Sequence, residues 1–109
     1  MKKNVYEKYE KRAAIIKAMA HPARLIIVDE LARGNRCVKD LTAAVGSDMS
    51  TVSRHLSILK SAGIVGSNKE GLQVFYFLKT PCVMKFFDCV ETVMRDGFRH
   101  QEKILSGRR

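Results

Sequence analysis

The sequence predicts a mainly helical domain carrying one small β-hairpin. Two observations predict the helices: apolar residues recur at spacings of three and four over most of the chain, and glycine or proline punctuates those stretches at about helix-length intervals. A third predicts the hairpin, because β-forming residues cluster only between Ile64 and Leu78. A chain of 109 residues is one domain. Its composition, 46% hydrophobic and 28% charged, excludes wholesale disorder. The longest apolar runs, such as Val74 to Leu78, are about five residues, whereas a spanning helix needs about 20. No membrane span and no secretory signal are expected, and a cytoplasmic location follows.

Val5, Tyr9, Ala13, Ile16 and Ala20 form one face of a first helix, rich in lysine and arginine. His21-Pro22 ends it, and proline suits the first turn of a second helix running from Pro22 to about Arg33. Leu25, Ile26, Val28 and Leu31 give that helix its apolar face, and Gly34 closes it as a left-handed cap. A short helix over Arg36 to Val45 follows, with Val38, Leu41 and Val45 inward and Gly46 at its end. Ser47-Asp48 offers an N-cap to the next helix, which runs to about Ala62 with Met49, Val52, Leu56 and Leu59 inward. Ile64-Val65 and Val74 to Phe77 flank a polar tip, Ser67 to Gly71. Thr80-Pro81 then opens a long last helix, roughly 82 to 105. Arg108-Arg109 reads as a mobile tail.

Charge points to the partner. Twenty Lys+Arg against eleven Asp+Glu give +9, which suits a polyanion: nucleic acid first, an acidic membrane surface second. Two short helices joined by Gly46-Ser47-Asp48 fit a helix-turn-helix over residues 36–62, with the hairpin, 64–78, as a wing. The second of those helices would enter the major groove with Ser50, Thr51, Ser53, Arg54 and His55. Short hydroxyls approach phosphates and base edges closely, and arginine can bond guanine through two donors. His55 faces either DNA or the edge of the core. From the wing, Asn68, Lys69 and Gln73 would touch backbone or minor groove.

These residues carry a resemblance. His21-Pro22-Ala23-Arg24-Leu25 resembles the "HPxRL" element of the ArsR/SmtB family of metal-responsive bacterial repressors. Ser50-Thr51-Val52-Ser53-Arg54-His55-Leu56 resembles its "STVSRHL" recognition helix, and Leu59 to Val65 its "LKxAGLV" exit into the wing. The resemblance covers about residues 13 to 80 and is collinear. It implies a homodimeric winged helix-turn-helix repressor that binds a palindromic double-stranded operator and leaves it when an inducer binds. Two-fold proteins of this kind read half-sites about one helical turn apart. The outer helices, within residues 1–20 and 81–105, are expected to dimerise through Val5, Tyr9, Phe87, Val90, Met94 and Phe98.

The three cysteines, Cys37, Cys82 and Cys89, suit a reducing compartment rather than a disulfide scaffold. Arg36 to Leu41 sits where arsenic and cadmium members of the family carry "ELCVCDL": Cys37 matches the first thiol, and Lys39 stands in place of the second. Pro81-Cys82-Val83 and Phe86 to Glu91 resemble the ending of arsenic-responsive members. On one continuous helix Cys82 and Cys89 would lie about 20° apart around the axis but about 10.5 Å apart along it. They share an ion only if the helix starts late, with Asp88 as its N-cap, or if each pairs with Cys37 or the partner subunit. Three thiolates suit As(III) or Sb(III) as inducer, since soft sulfur selects soft metalloids. Redox or persulfide sensing, zinc or cadmium sensing, and simple burial of the thiols are the alternatives. The family's zinc pattern on the last helix is not matched by Asp96, His100 and Glu102.

Catalysis is not expected: no phosphate-binding loop, GxSxG or HExxH occurs. A winged helix that binds protein instead of DNA is the second class, opposed by the basic charge and the hydroxyl-rich helix with Arg54.

Overall fold

The computed structural model describes residues 2–105; the Arg108-Arg109 tail lies outside the described residues. The elements are α1 (Lys3–Met19), α2 (Pro22–Arg33), β1 (Arg36–Cys37), α3 (Val38–Val45), α4 (Met49–Ser61), β2 (Val65–Glu70), β3 (Gln73–Leu78) and α5 (Val83–Leu105). Local chemistry sets their ends. The His21 ring accepts the Ala23 N–H at 3.1 Å through Nδ1, capping α2, and Pro22 fills its first position. Gly46 closes α3 with the left-handed geometry (φ 76°, ψ 26°) that the sharp turn into α4 requires. Gly34 also has a positive φ, 153°, but in an extended conformation rather than the left-handed helical one expected of it.

The sheet is three-stranded and antiparallel, in the order β1-β3-β2. The hairpin pairs Val65 with Leu78 and ends on Glu70 opposite Gln73. Its turn is the pair Gly71-Leu72, so the expected longer tip shortens and Ser67 to Glu70 become strand. Arg36 and Cys37 are strand too, opposite Tyr76 and Phe75, where the sequence suggested the start of a helix. A two-residue strand has no period of its own; only its distant partner defines it.

The core lies where α2, α3 and α4 meet the sheet. Ile27, Val28, Leu41, Val52, Leu56 and Leu59 are fully buried there, with Ile64 and Val65 beside them. Within α2 the buried face is Ile27, Val28 and Leu31, while Leu25 and Ile26 stay exposed. Met49, expected inward, is exposed at the start of α4.

The outer helices remain largely uncovered. Val83, Met84 and Phe87 pack against the core from the first turns of α5, but Phe86, Val90, Val93, Met94 and Phe98 are exposed. Val5, Tyr6, Tyr9, Ile15 and Ile16 are exposed on α1. The radius of gyration is 17.5 Å, against about 13 Å for a compact domain of this length. No described helix is long and apolar enough to cross a membrane.

Candidate nucleic-acid interface and thiol positions

Helix α4 is built to present one face. Asp48 caps it, accepting the Thr51 N–H and the Ser50 hydroxyl, each at 2.7 Å. Those two bonds, the Ser50 hydroxyl first, hold the Asp48 carboxyl at a pKa of about 2. Val52, Leu56 and Leu59 are buried completely, which turns the opposite stripe outward. That stripe is Ser50, Ser53, Arg54 and Ser57, all exposed and spaced by three and four along the helix. Ser57 continues the set beyond the residues picked out from sequence; the seven-residue spacing from Ser50 is the signal that finds it. Thr51 is half-buried, and its backbone N–H is already committed to the cap. Ser50 donates its only hydroxyl proton to Asp48, so as it stands it can accept from a base amino group but cannot donate to a phosphate.

His55 is corrected by the structure. It is 9% exposed, and its ring faces back toward α2 rather than outward with Arg54. Its Nδ1 accepts the Arg24 Nε–H at 3.1 Å, and its ring lies 4.5 Å from that of His21. Burial first, then the His21, Arg24 and Arg54 charges, lowers its pKa from 6.5. It therefore supports the helix and leaves the candidate contact set. The wing supplies Asn68, Lys69 and Gln73, all exposed. Lys60, on the last turn of α4, donates to the Ser67 hydroxyl at 2.7 Å and ties the helix to the wing. Neither Lys60 nor Arg24 was legible as an anchor, since each reaches a partner on another element.

The three thiols are free and separate. Cys37 is buried at the N-cap of α3, where its thiol donates to Asp40 Oδ2 at 3.3 Å. Cys82 is exposed one residue before α5, and Cys89 is exposed on α5 itself. Because α5 is continuous from Val83, the late start at Asp88 does not occur. Among the described residues of one protomer, no three histidine, cysteine or acidic side chains gather closely enough to hold a metal ion.

Residues 21–67 match the model of the bacterial regulatory protein family named arsR. The chain is 42% identical over 86 residues to the uncharacterised HTH-type transcriptional regulator MJ1325 of Methanocaldococcus jannaschii, covering 78% of this chain and 97% of that protein. It is 41% identical over 73 residues to the biofilm growth-associated repressor of Agrobacterium fabrum, covering 63% of this chain and 62% of that protein. Among solved structures, the homodimeric winged helix-turn-helix DNA-binding domain Mb0332 of Mycobacterium bovis superposes with a TM-score of 0.77. That domain is 31% identical, and the match covers 92% of this chain and 93% of that one.

Proposed function

The chain belongs to the arsR family of bacterial regulatory proteins, and from that premise we propose that it is a homodimeric operator-binding repressor whose inducer is a trivalent metalloid. The observation that carries the DNA-binding half is α4: one face fully buried, the other an exposed stripe of three hydroxyls and Arg54. Two protomers carry +18 between them, twice the +9 of one chain. A partner copy would also cover the apolar faces of α1 and α5, which one small core leaves exposed. Association through those faces would set the two α4 helices at the separation an operator demands. Phe87 contributes less to that interface than expected, because it already packs on its own core.

The inducer half rests on arsenite or antimonite taken by Cys37, Cys82 and Cys89. In one protomer these thiols do not fit a single ion, so the ligand set must draw on the partner or on a rearranged chain. That supports an inducer rather than a structural ion. A ligand shifts an equilibrium only through its preference for one state, and a site not assembled in this conformation favours another. Cys37 lies at the base of the helix-turn-helix, beside the start of α3. Operator and inducer must then weaken each other by the same factor.

The test is fluorescence anisotropy with a labelled duplex selected from a random-sequence pool, titrated with arsenite under reducing conditions. Wild type is expected to release the duplex, and Cys37→Ser, Cys82→Ser and Cys89→Ser to retain it. Release by polysulfide or diamide in place of arsenite would replace the metalloid with thiol oxidation or persulfide formation as the signal. Binding that does not fall with salt would reject the DNA reading.

A further inference from the structure

We propose that Arg24 is a positioning residue for DNA binding, gripping the recognition helix from behind through His55, and that it can do so only while His55 is neutral. This rests on the operator-binding reading of α4.

The contacts form a chain across three helices. Arg24, on α2, donates through Nε to His55 on α4 at 3.1 Å and through Nη1 to the Ala18 carbonyl on α1 at 3.2 Å. One rigid guanidinium thereby fixes the end of α1 against the back of α4. His55 follows Arg54 directly, so any turn of the His55 side re-aims the exposed stripe. His21 completes the seat from the other side, capping α2 while its ring rests 4.5 Å from the His55 ring.

The protonation state follows from donor inventory. A guanidinium Nε–H can only donate, so His55 Nδ1 must be unprotonated. Adding a proton there opposes two N–H groups at hydrogen-bond distance and places a second cation beside Arg24. The ionisable groups facing His55 are His21, which caps α2, Arg24 within α2, and Arg54 from its own helix. All of them are basic, so none compensates the new charge. From α1 comes the Ala18 carbonyl, already bonded to Arg24. Acidification must therefore loosen the grip.

Lowering pH adds positive charge to any protein and ordinarily strengthens its attraction to DNA. The grip predicts the reverse. Affinity for the selected duplex, measured by anisotropy at fixed salt, is expected to weaken at least threefold between pH 7.5 and 5.5. Arg24→Lys, which keeps the charge but loses the planar fork, is expected to bind at least fivefold more weakly at pH 7.5. His55→Gln, which keeps an acceptor but cannot titrate, is expected to lose the acid-induced weakening whatever its affinity at pH 7.5. Circular dichroism at each pH checks that the chains remain folded.

Affinity that holds or rises on acidification, a His55→Gln profile that follows the wild type, or Arg24→Lys binding as tightly as wild type would each overturn the proposal. The His55→Gln profile decides even if Arg24→Lys fails to fold. Absence of salt-sensitive duplex binding by the wild type at every pH would instead reject the operator reading itself, and this inference with it.

Discussion

Replacing Gly66 with alanine should damage the wing in a way that one second substitution repairs. Gly66 is buried at the base of β2, directly opposite Phe77 of β3. A Cβ added there would meet the ring end-on, at 2.9 Å from both Cε atoms and closer still to Cζ. The φ of Gly66 is not positive, so alanine costs nothing in backbone geometry. Loss of glycine's unfolded-state freedom would even stabilise by about 0.4–1 kcal/mol. Overpacking typically costs about 1–3 kcal/mol. The difference runs from about 0 to 2.6 kcal/mol, and a contact this close on an aromatic ring puts it in the upper part, a net loss of about 1–2 kcal/mol. Unfolding entropy near 2.1 cal/mol/K per residue makes each kcal/mol worth about 4 °C here, so Tm should fall by about 4–8 °C. Melts must be run at one protein concentration, because the stability of the proposed dimer would depend on it. In a Phe77→Leu background the shorter side chain vacates the space. Gly66→Ala should then be neutral or slightly stabilising, giving a coupling of at least about 1 kcal/mol. A Tm within 1 °C of wild type, or strictly additive substitutions, would refute the account of a ring seated on a glycine.

Further outcomes follow from the same contacts. Arg54→Ala should cost about 1–3 kcal/mol of operator affinity, concentrated at one base pair, if its guanidinium reads a base edge; a uniform loss over all duplexes would make it a phosphate contact. If Arg54, Lys60 and Lys69 of both protomers each meet a phosphate, log affinity against log salt should slope near −5, at about −0.9 per contact. Leu56→Ala empties a fully buried position and should destabilise by about 2–5 kcal/mol in a chemical denaturation curve. The lowered pKa of His55 means that the unfolded chain takes up its proton first as pH falls. Its contribution to stability is complete above about pH 6.5 and declines as pH drops from there through the folded pKa. His55→Gln should flatten that part of the stability–pH curve. Asp48, held at about 2, keeps its cap down to about pH 4 and loses it as pH falls through 2, a step that Asp48→Asn should remove.

Much of this architecture was legible locally. Helix α4 announced itself through a run of spacings with Asp48 before it, and each of those signals acts within a few residues. What escaped depends on contacts far away in sequence. Cys37 lies in a strand only because Phe75 lies opposite. His55 shares α4 with Arg54, yet a side chain 31 positions earlier draws it inward. Periodicity located a face of α2 but shifted it: Ile27 rather than Leu25 or Ile26 meets the core. The thiols fall in the same class, since their helical positions could be calculated but not what would bring them together.

Helical rise from Val83 to Cys89 is about 9 Å along the axis of α5, and Cys82 lies one residue further out, whereas thiolates sharing one ion at metal–sulfur lengths near 2.3 Å lie within about 4 Å of each other. Within one protomer, closing that gap would unwind about two turns of α5. Val83, Met84 and Phe87 pack on the core from those turns, so unwinding would also strip packing from the domain. If two α5 helices lie antiparallel across the proposed dimer, bridging them needs no such loss. The expected route is therefore Cys82 of one protomer with Cys89 of the other. Mixed dimers separate the routes. Cys82→Ser and Cys89→Ser homodimers each lack a complete site under either route. A dimer with one chain of each kind retains one complete site if thiols pair between protomers, and none if they pair within a protomer. Arsenite binding at half the wild-type stoichiometry in the mixed dimer, with the helical circular dichroism unchanged, is the expected result. No recovery on mixing, together with a loss of helical signal when wild type binds arsenite, would place the ion within one chain and make unwinding of α5 the event that inducer binding drives.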